Sequence, residues 1–292
     1  MVDLDDFKPE ICYQCGSRDY KVIASGPIVP VISCSQCGLM RQGPRNPEQK
    51  SFSLESCAGG DERYIEQRLE KELTQLVDYV KVLPKLEEIL PAKGKLLEVG
   101  CSTGLLLDKI RKAGWNAFGV EPNDWAYKLA EEKHGQNVVN AFFQDAGYAN
   151  ETFDAVVMLH VIEHIPNPVK ALAQLNKLVR PGGILVMETP RYDTVWFNFL
   201  KGRERSVIPG HLYYFTRKSL TEMASKAGFE LIELDSVGRT LTLDRLCYSI
   251  SKVSNSKIVS RVLTKLSDTL HLNKAKIHIN LHDMMRLYLR KM

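Results

Sequence analysis

No run of eighteen apolar residues occurs in the chain, so a membrane-spanning helix is not expected. The opening Met1-Val-Asp-Leu-Asp-Asp-Phe7 has neither the basic start nor the apolar middle of a secretory leader, and a cytoplasmic protein is expected. Net charge is scarce as well: 39 Lys and Arg against 35 Asp and Glu leave +4. A concentrated basic groove with interleaved aromatics, the footprint of nucleic-acid binding, is missing. So is the dinucleotide fingerprint G-x-G-x-x-G. What is present is a globular composition, 44% hydrophobic and 25% charged, in 292 residues, enough for one large domain or one and a half. Its charge is unevenly placed. Ser251 to Met292 holds nine Lys and Arg against Asp268 and Asp283, which leaves the remainder slightly acidic.

Cysteine is also unevenly spread. Cys12-x-x-Cys15 and Cys34-x-x-Cys37 lie eighteen residues apart, while Cys57, Cys101 and Cys247 are isolated. Two such knuckles, each followed by a glycine (Gly16, Gly38) that suits a tight turn, match a structural zinc site of four thiolates. Two disulfides are the alternative, and the cytoplasmic expectation opposes them. A redox C-x-x-C would need a βαβ context that is absent here. With four ligands filled the ion has no open position, so it should hold the first forty residues together without taking part in catalysis.

The chain is organised around Lys95-Leu-Leu-Glu-Val-Gly-Cys-Ser-Thr-Gly104. Leu96 to Val99 reads as a buried parallel strand, Gly100 and Gly104 as a tight turn, and Leu105 to Ile110 as a helix packed back on the sheet. Glycines there allow positive φ and a close approach of backbone to ligand, and the helix start presents unpaired N–H groups. The Glu98 carboxylate would repel a diphosphate but suits a ligand carrying an ammonium group. The stretch resembles motif I of the class I S-adenosylmethionine-dependent methyltransferases. By that resemblance Glu98, Gly100, Cys101, Ser102, Thr103 and Gly104 hold the cofactor.

Further along the chain, acids and strands recur at matching distances. Trp115 to Val120 reads as a second strand, and Glu121, twenty-one positions after Gly100, is placed to accept hydrogen bonds from both ribose hydroxyls. Asp124 to His134 reads as a helix stopped by Gly135, and Val138 to Phe143 as a third strand. In the resembled family an acid after this strand bonds the adenine amino group, which implies Asp145, with Ala146 beside it. Ahead of the first strand, Ile65, Leu69, Leu73, Leu76, Val80 and Leu83 recur at helical spacing, with Pro84 as a kink or break. Such lead-in helices can cover a ligand pocket, and Tyr64 is one candidate contact.

Phe153 to Pro168 reads as a fourth strand running into a loop, Leu159-His-Val-Ile-Glu-His-Ile-Pro166. The pattern of strand, acid–His pair and Pro resembles the ubiquinone-biosynthesis O-methyltransferases and their small-molecule relatives. Some of those hold a divalent metal with Glu-x-x-Glu-His. Here His160 stands at the first position, so either His160, Glu163 and His164 bind a second metal or, more simply, His160 and Glu163 line the mouth of the methionine pocket. Pro168 to Arg180 reads as a helix closing at Pro181-Gly-Gly183, and Ile184 to Glu188 as the fifth strand. Ser219 to Ala227 reads as a helix, Phe229 to Val237 as the sixth strand, and Met284 to Arg290 as an antiparallel edge strand.

The resemblance spans about residues 60 to 292 and implies an α/β fold: a seven-stranded Rossmann-like methyltransferase sheet with helices on both faces, preceded by a small zinc ribbon. The expected division is 1–45 ribbon and 46–292 methyltransferase domain, with 239–280 as a basic helical insertion before the last strand. In that insertion Leu243, Leu246, Ile250 and Val253, then Ile258, Val262, Leu266 and Leu270, suggest two amphipathic helices. They could form a lid, a homodimer contact or, through 251–292, a membrane-surface patch; a plain solvated basic face is the simpler reading. Thr189 to Thr216 carries Tyr192, Trp196, Phe197, Phe199, Arg203, Arg205, His211, Tyr213 and Tyr214 at the carboxyl end of strand five, where open α/β sheets bind ligands.

The function expected is methyl transfer from S-adenosylmethionine to a small-molecule acceptor such as a glycosyl, natural-product or quinone-like compound. RNA methylation using the ribbon is one alternative, and a non-catalytic cofactor-binding module is another. For a hydroxyl acceptor a base is needed. His211, in Pro209-Gly-His-Leu-Tyr-Tyr-Phe-Thr216, is either that base or a histidine holding its loop, and His164 is the competing candidate.

Overall fold

The structure is a computed structural model that describes residues 10–25, 30–43, 62–201, 206–208, 210–242 and 275–292. Cys57, Cys247, Arg203, Arg205, the side chain of Tyr64 and the expected helices within 243–274 lie outside the described residues.

Two glycine-closed knuckles begin the chain. In each, the glycine N–H donates to the first cysteine's carbonyl, Gly16 to Cys12 at 2.6 Å and Gly38 to Cys34 at 3.0 Å, and both glycines have φ near +75° (76° and 74°). Around them run β1 (Tyr20–Ser25), β2 (Pro30–Cys34) and β3 (Met40–Gln42), an antiparallel meander. Next come α1 (Glu62–Tyr79) and α2 (Val82–Ile89). The helix breaks at Val80–Lys81, ahead of Pro84, which falls within the first turn of α2 where its missing N–H costs nothing. Leu73, expected from its spacing to be inward, is 55% exposed.

The central unit alternates strand and helix: β4 (Lys95–Val99), α3 (Leu105–Lys112), β5 (Asn116–Val120), α4 (Asp124–His134), β6 (Val138–Val139), β7 (Phe153–Leu159), α5 (Pro168–Leu178) and β8 (Val179–Pro190). Then follow α6 (Val195–Leu200), β9 (Tyr213–Tyr214), α7 (Arg217–Lys226), β10 (Phe229–Ser236), β11 (Arg239–Thr242), β12 (Lys276–Ile279) and β13 (Met284–Lys291). Side chains cap the helices where Ser, Thr and Asn precede them. Asn123 accepts from Ala126 N, Asn167 from Lys170 N ahead of Pro168, and Thr216 and Ser219 form a reciprocal capping box on α7.

Seven strands form one sheet in the order β10-β13-β8-β7-β4-β5-β6, parallel except for β13, which runs antiparallel to both its neighbours. Successive residues of the inner strands enter opposite layers of core. Leu97, Val156, Met158, Leu185, Met187 and Leu287 pack with α5 and α7, while Leu96, Ala155, Val157, Ile184, Val186 and Tyr288 pack with α2 and α3. Covering both faces is what makes these strands read as unbroken apolar runs.

Several expectations need correction. The third strand is two residues long, and 140–146 turns away instead of continuing to Phe143. Helix α5 stops at Leu178, and the Pro181-Gly-Gly183 segment lies inside β8, absorbed by a register irregularity against β7. The last strand is antiparallel as expected but not at an edge. It sits between β8 and β10 with Met284 to Leu289 all buried, and β10 takes the edge. Finally, the insertion does not begin and end as helix: 239–242 and 276–279 pair as β11 and β12.

The ribbon does not stand apart. Its sheet has a fourth strand, β9, which pairs Tyr213 with Arg41 and Tyr214 with Met40. Cys12, Cys34 and Leu39 belong to the same apolar cluster as Leu212, Tyr213, Phe215 and the α5–α7 layer.

Candidate functional site

The glycine loop lies at the carboxyl ends of β4 and β5, the end at which open α/β sheets bind ligands. Gly100 and Cys101 donate backbone N–H groups to Val120 O at 2.9 and 3.1 Å, which ties the loop to the end of β5. Gly100 has φ +74°, and a Cβ there would come within 2.7 Å of Val161 Cγ2, so the loop abuts the segment after β7 too closely for any side chain. At Gly104, also φ +74°, a Cβ would meet the His134 ring at 2.7 Å.

Three carboxylates converge on this loop. Glu121 accepts from Ser102 N at 2.9 Å and from Asn123 N at 2.8 Å, and Asn140 donates to its carbonyl at 3.0 Å. Glu72 of α1 accepts from the hydroxyls of Ser102 and Thr103, the latter at 2.6 Å. Glu98 is 6% exposed, and its Oε2 has no hydrogen-bond partner. Burial, followed by the charges of Glu72 and Glu121, pushes its carboxyl well above the usual range. A buried acidic cradle with an orphaned oxygen beside a side-chain-free turn fits a ligand that brings a cation, as S-adenosylmethionine does. Cys101 contributes backbone alone, because its thiol is buried against Gly119, where a Cβ would lie 2.7 Å from the sulfur. Asp145 and Ala146 come after the short β6; Asp145 is exposed, with its N–H bonded to Phe142 O at 2.9 Å.

Beyond Val161 the loop after β7 brings the histidines together. His160 has φ +57°, a left-handed conformation, and both its nitrogens face acids: Nε2 is 3.2 Å from Glu188 Oε1 and Nδ1 is 3.6 Å from Glu163 Oε1. Burial opposes its charge, but the two carboxylates prevail and raise the imidazole to about 9. Glu163 is 1% exposed and accepts from Thr189 Oγ1 at 3.0 Å. Burial pushes its carboxyl upward, yet the ion pair with His160 and the neighbouring imidazoles bring it to about 2. The rings of His164 and His211 meet edge-to-face with centroids 4.8 Å apart. His164 Nδ1 donates to Gly210 O at 2.7 Å, since a carbonyl can only accept. Tyr192 OH donates to Ser206 O at 3.0 Å, and its oxygen faces His211 Nδ1 at 3.3 Å, so that nitrogen also carries the hydrogen. Both Nε2 atoms are then the basic positions. Burial lowers His211 to about 4, which keeps it neutral.

Donor atoms of Glu163, His164 and His211 lie within 4.8 Å of one another. His160, the first position of the metal pattern considered from the sequence, is outside that group, with both nitrogens turned to carboxylates. The aromatics of the next loop divide. Tyr192, Phe197, Tyr213 and Tyr214 are buried, while Trp196 and Phe199 are 49% and 82% exposed.

A family model described as a methyltransferase domain matches residues 64–234. The chain belongs to the class I S-adenosylmethionine-dependent methyltransferases. A ubiquinone biosynthesis O-methyltransferase of Actinobacillus pleuropneumoniae is 33% identical over 105 residues, which is 32% of this chain and 45% of the relative, so the chain spans less than half that relative's length. One of the same description from Coxiella burnetii is 28% identical over 168 residues, 53% of this chain and 72% of the relative. A solved methyltransferase of Thermotoga maritima, described as a possible histamine N-methyltransferase, has 19% identity and TM-score 0.52, covering 79% of this chain and 97% of its own; it shares the fold.

The N-terminal addition to this methyltransferase carries the cysteine cluster. Cys12 Sγ is 3.4 Å from Cys37 Sγ, and Cys15 Sγ is 3.5 Å from Cys34 Sγ, so each contact joins one knuckle to the other. All four sulfurs lie within 4.8 Å of one another, and all four cysteines are free of disulfides. Zn–S bonds of about 2.3 Å in a tetrahedron require sulfurs about 3.8 Å apart, and the set fits.

Sequence reasoning missed Glu72, Tyr79, Asp78 and Arg286. Arg286 donates from Nε and a terminal nitrogen to Glu188 Oε2 at 2.8 and 2.6 Å. Asp78 accepts from Thr240 N and lies 3.2 Å from His278, which fastens the β11–β12 pair to α1. Tyr79 stacks at a tilt on His160, with centroids 5.8 Å apart. No local pattern marks these residues, because each partner lies tens to hundreds of positions away. Among the described residues no helix is long and apolar enough to cross a membrane.

Proposed function

We propose that the protein methylates a hydroxyl group of a small molecule, with Glu98, the Gly100–Gly104 loop, Glu121, Asp145, Ala146 and His160 holding S-adenosylmethionine. The observation that carries this reading is the His164–His211 pair, centroids 4.8 Å apart, on loops that abut the glycine turn through Val161. When bound, S-adenosylmethionine supplies an electrophilic methyl carbon on its sulfonium sulfur. A hydroxyl acceptor must lose its proton as its oxygen attacks, and His211, kept neutral by burial, takes that proton on Nε2. Tyr192 and Ser206 fix the ring's orientation from the Nδ1 side. Glu163 stays ionised beneath both imidazoles and stabilises the imidazolium as it forms. His164 is the alternative base. The curated relatives named for ubiquinone biosynthesis favour an O–H acceptor of quinone-like type.

The test is incubation of the protein with methyl-labelled cofactor and cell extract, fractionated into small molecules, polysaccharide, protein and RNA. Label in the small-molecule or glycan pool is expected. Label in RNA would overturn the acceptor class, and cofactor binding without label anywhere would leave a binding module.

A further inference from the structure

Helix α1 reaches the glycine loop through the Glu72 carboxylate. Glu72, thirty residues ahead of Ser102, accepts hydrogen bonds from the hydroxyls of both Ser102 and Thr103, and its side chain is 15% exposed. The loop is thus held by two acids, Glu121 on the Ser102 N–H and Glu72 on the Ser102 and Thr103 hydroxyls. The third acid, Glu98, lies 6% exposed with an oxygen that nothing donates to. Among the described residues two cations border the cluster: Lys133 Nζ donates to the Thr103 carbonyl at 3.5 Å, and Arg68 pairs with Glu72. Arg68 Nε, the basic group paired with Glu72, is 3.8 Å away on a side chain 45% exposed, too distant and too hydrated to neutralise three carboxylates.

The order of strands gives the ligand's direction. Glu121 comes just after β5, Glu98 lies on β4, and β4 sits between β5 and β7. A nucleoside with its ribose on Glu121 therefore lays its remaining substituent across the end of β4, past Glu98 and the hydroxyls that Glu72 holds. A carboxylate has about four acceptor positions, so Glu72 retains capacity beyond the two hydroxyls. An ammonium group offers three donors and a full positive charge, which answers both the orphaned oxygen and the excess of acids.

We infer that Glu72 of α1 is a cofactor-binding residue, joining Glu98 in a two-carboxylate seat for the ammonium group of the methionine moiety, an assignment that rests on the proposed S-adenosylmethionine site. Helix α1 is then a wall of the cofactor pocket, and its contact with Ser102 and Thr103 preorganises that wall before the ligand arrives.

The test compares two ligands on the full chain by calorimetry. S-adenosylhomocysteine and 5′-methylthioadenosine share the adenosine and the thioether; the first alone carries the ammonium and carboxylate. Glu72→Gln should raise the Kd of S-adenosylhomocysteine about tenfold or more, because a charge-assisted contact is lost, while that of 5′-methylthioadenosine changes less than about twofold. Retained 5′-methylthioadenosine binding also shows that the variant is folded. Equal losses for both ligands would mean that Glu72 only holds the loop, and no loss for either would place it outside the site. Wild-type protein that bound neither ligand would instead remove the cofactor reading itself.

Discussion

Arg286 on β13 stands directly opposite Glu188 on β8, and the two are 3% and 2% exposed. Glu188 gives one oxygen to the guanidinium and the other to His160, while Arg286 also reaches the Asp78 carbonyl at 3.2 Å. Removing one partner of such a pair leaves a buried charge. Arg286→Met should therefore destabilise the fold by about 3–5 kcal/mol, read by urea unfolding, and adding Glu188→Gln should recover part of that loss. A single-variant effect below about 1 kcal/mol would show that the pair is hydrated in solution.

Stability should also depend on pH through two histidines shifted in opposite directions. His160 is raised to about 9, so its contribution is complete below its unfolded value near 6.5 and is lost as pH rises through about 9. His211 is lowered to about 4, so its neutral burial costs nothing above about 6.5 and stability falls as pH drops from there toward 4. The melting temperature should peak near neutrality. His160→Gln should flatten the alkaline limb and His211→Gln the acid limb. Unchanged limbs in both variants would rule these residues out as the titrating groups.

The purified protein should carry one zinc per chain, measured by elemental analysis and lost in Cys12→Ser or Cys37→Ser. Because β3 pairs with β9, metal loss should reach beyond the ribbon: amide exchange should quicken at Tyr213 and Tyr214 as well as over residues 30–43. A metal-free native protein with freely alkylated thiols would remove zinc from the description.

Glu121→Ala should weaken S-adenosylmethionine binding by about 1–3 kcal/mol, through loss of charge-assisted hydrogen bonds to the ribose. It also frees the Ser102 and Asn123 amides that Glu121 now holds. Calorimetry showing unchanged affinity would detach this carboxylate from the nucleoside.

His211→Gln should cut turnover roughly a hundredfold or more with cofactor affinity nearly unchanged, the signature of a group acting only in the transition state. His164→Gln is the parallel experiment. Near wild-type turnover in the first and a large loss in the second would transfer the base to the loop after β7.

Much of this protein was legible from residues close together in the chain. The cysteine knuckles, the Lys95–Gly104 strand and turn, and Glu121 at the end of the next strand announce themselves because their chemistry depends on local spacing. The parallel strands do so because burial on both faces writes an apolar run. Met284 to Leu289 shows where that reading stops. Its alternation gave the direction of the strand, but whether it lies at an edge or inside the sheet depends on β10 folding outside it. Likewise Glu72 looks like any solvated helix acid, and Arg286 like a strand-face charge, until tertiary packing brings them to Thr103 and Glu188. The meeting of His164 with His211, and of the ribbon's third strand with Tyr213–Tyr214, joins segments 47 and about 170 positions apart. Local periodicity carries no information about such pairs. Only the closing of the sheet and the shared apolar core decide them, because burying both faces at once fixes which loops must touch.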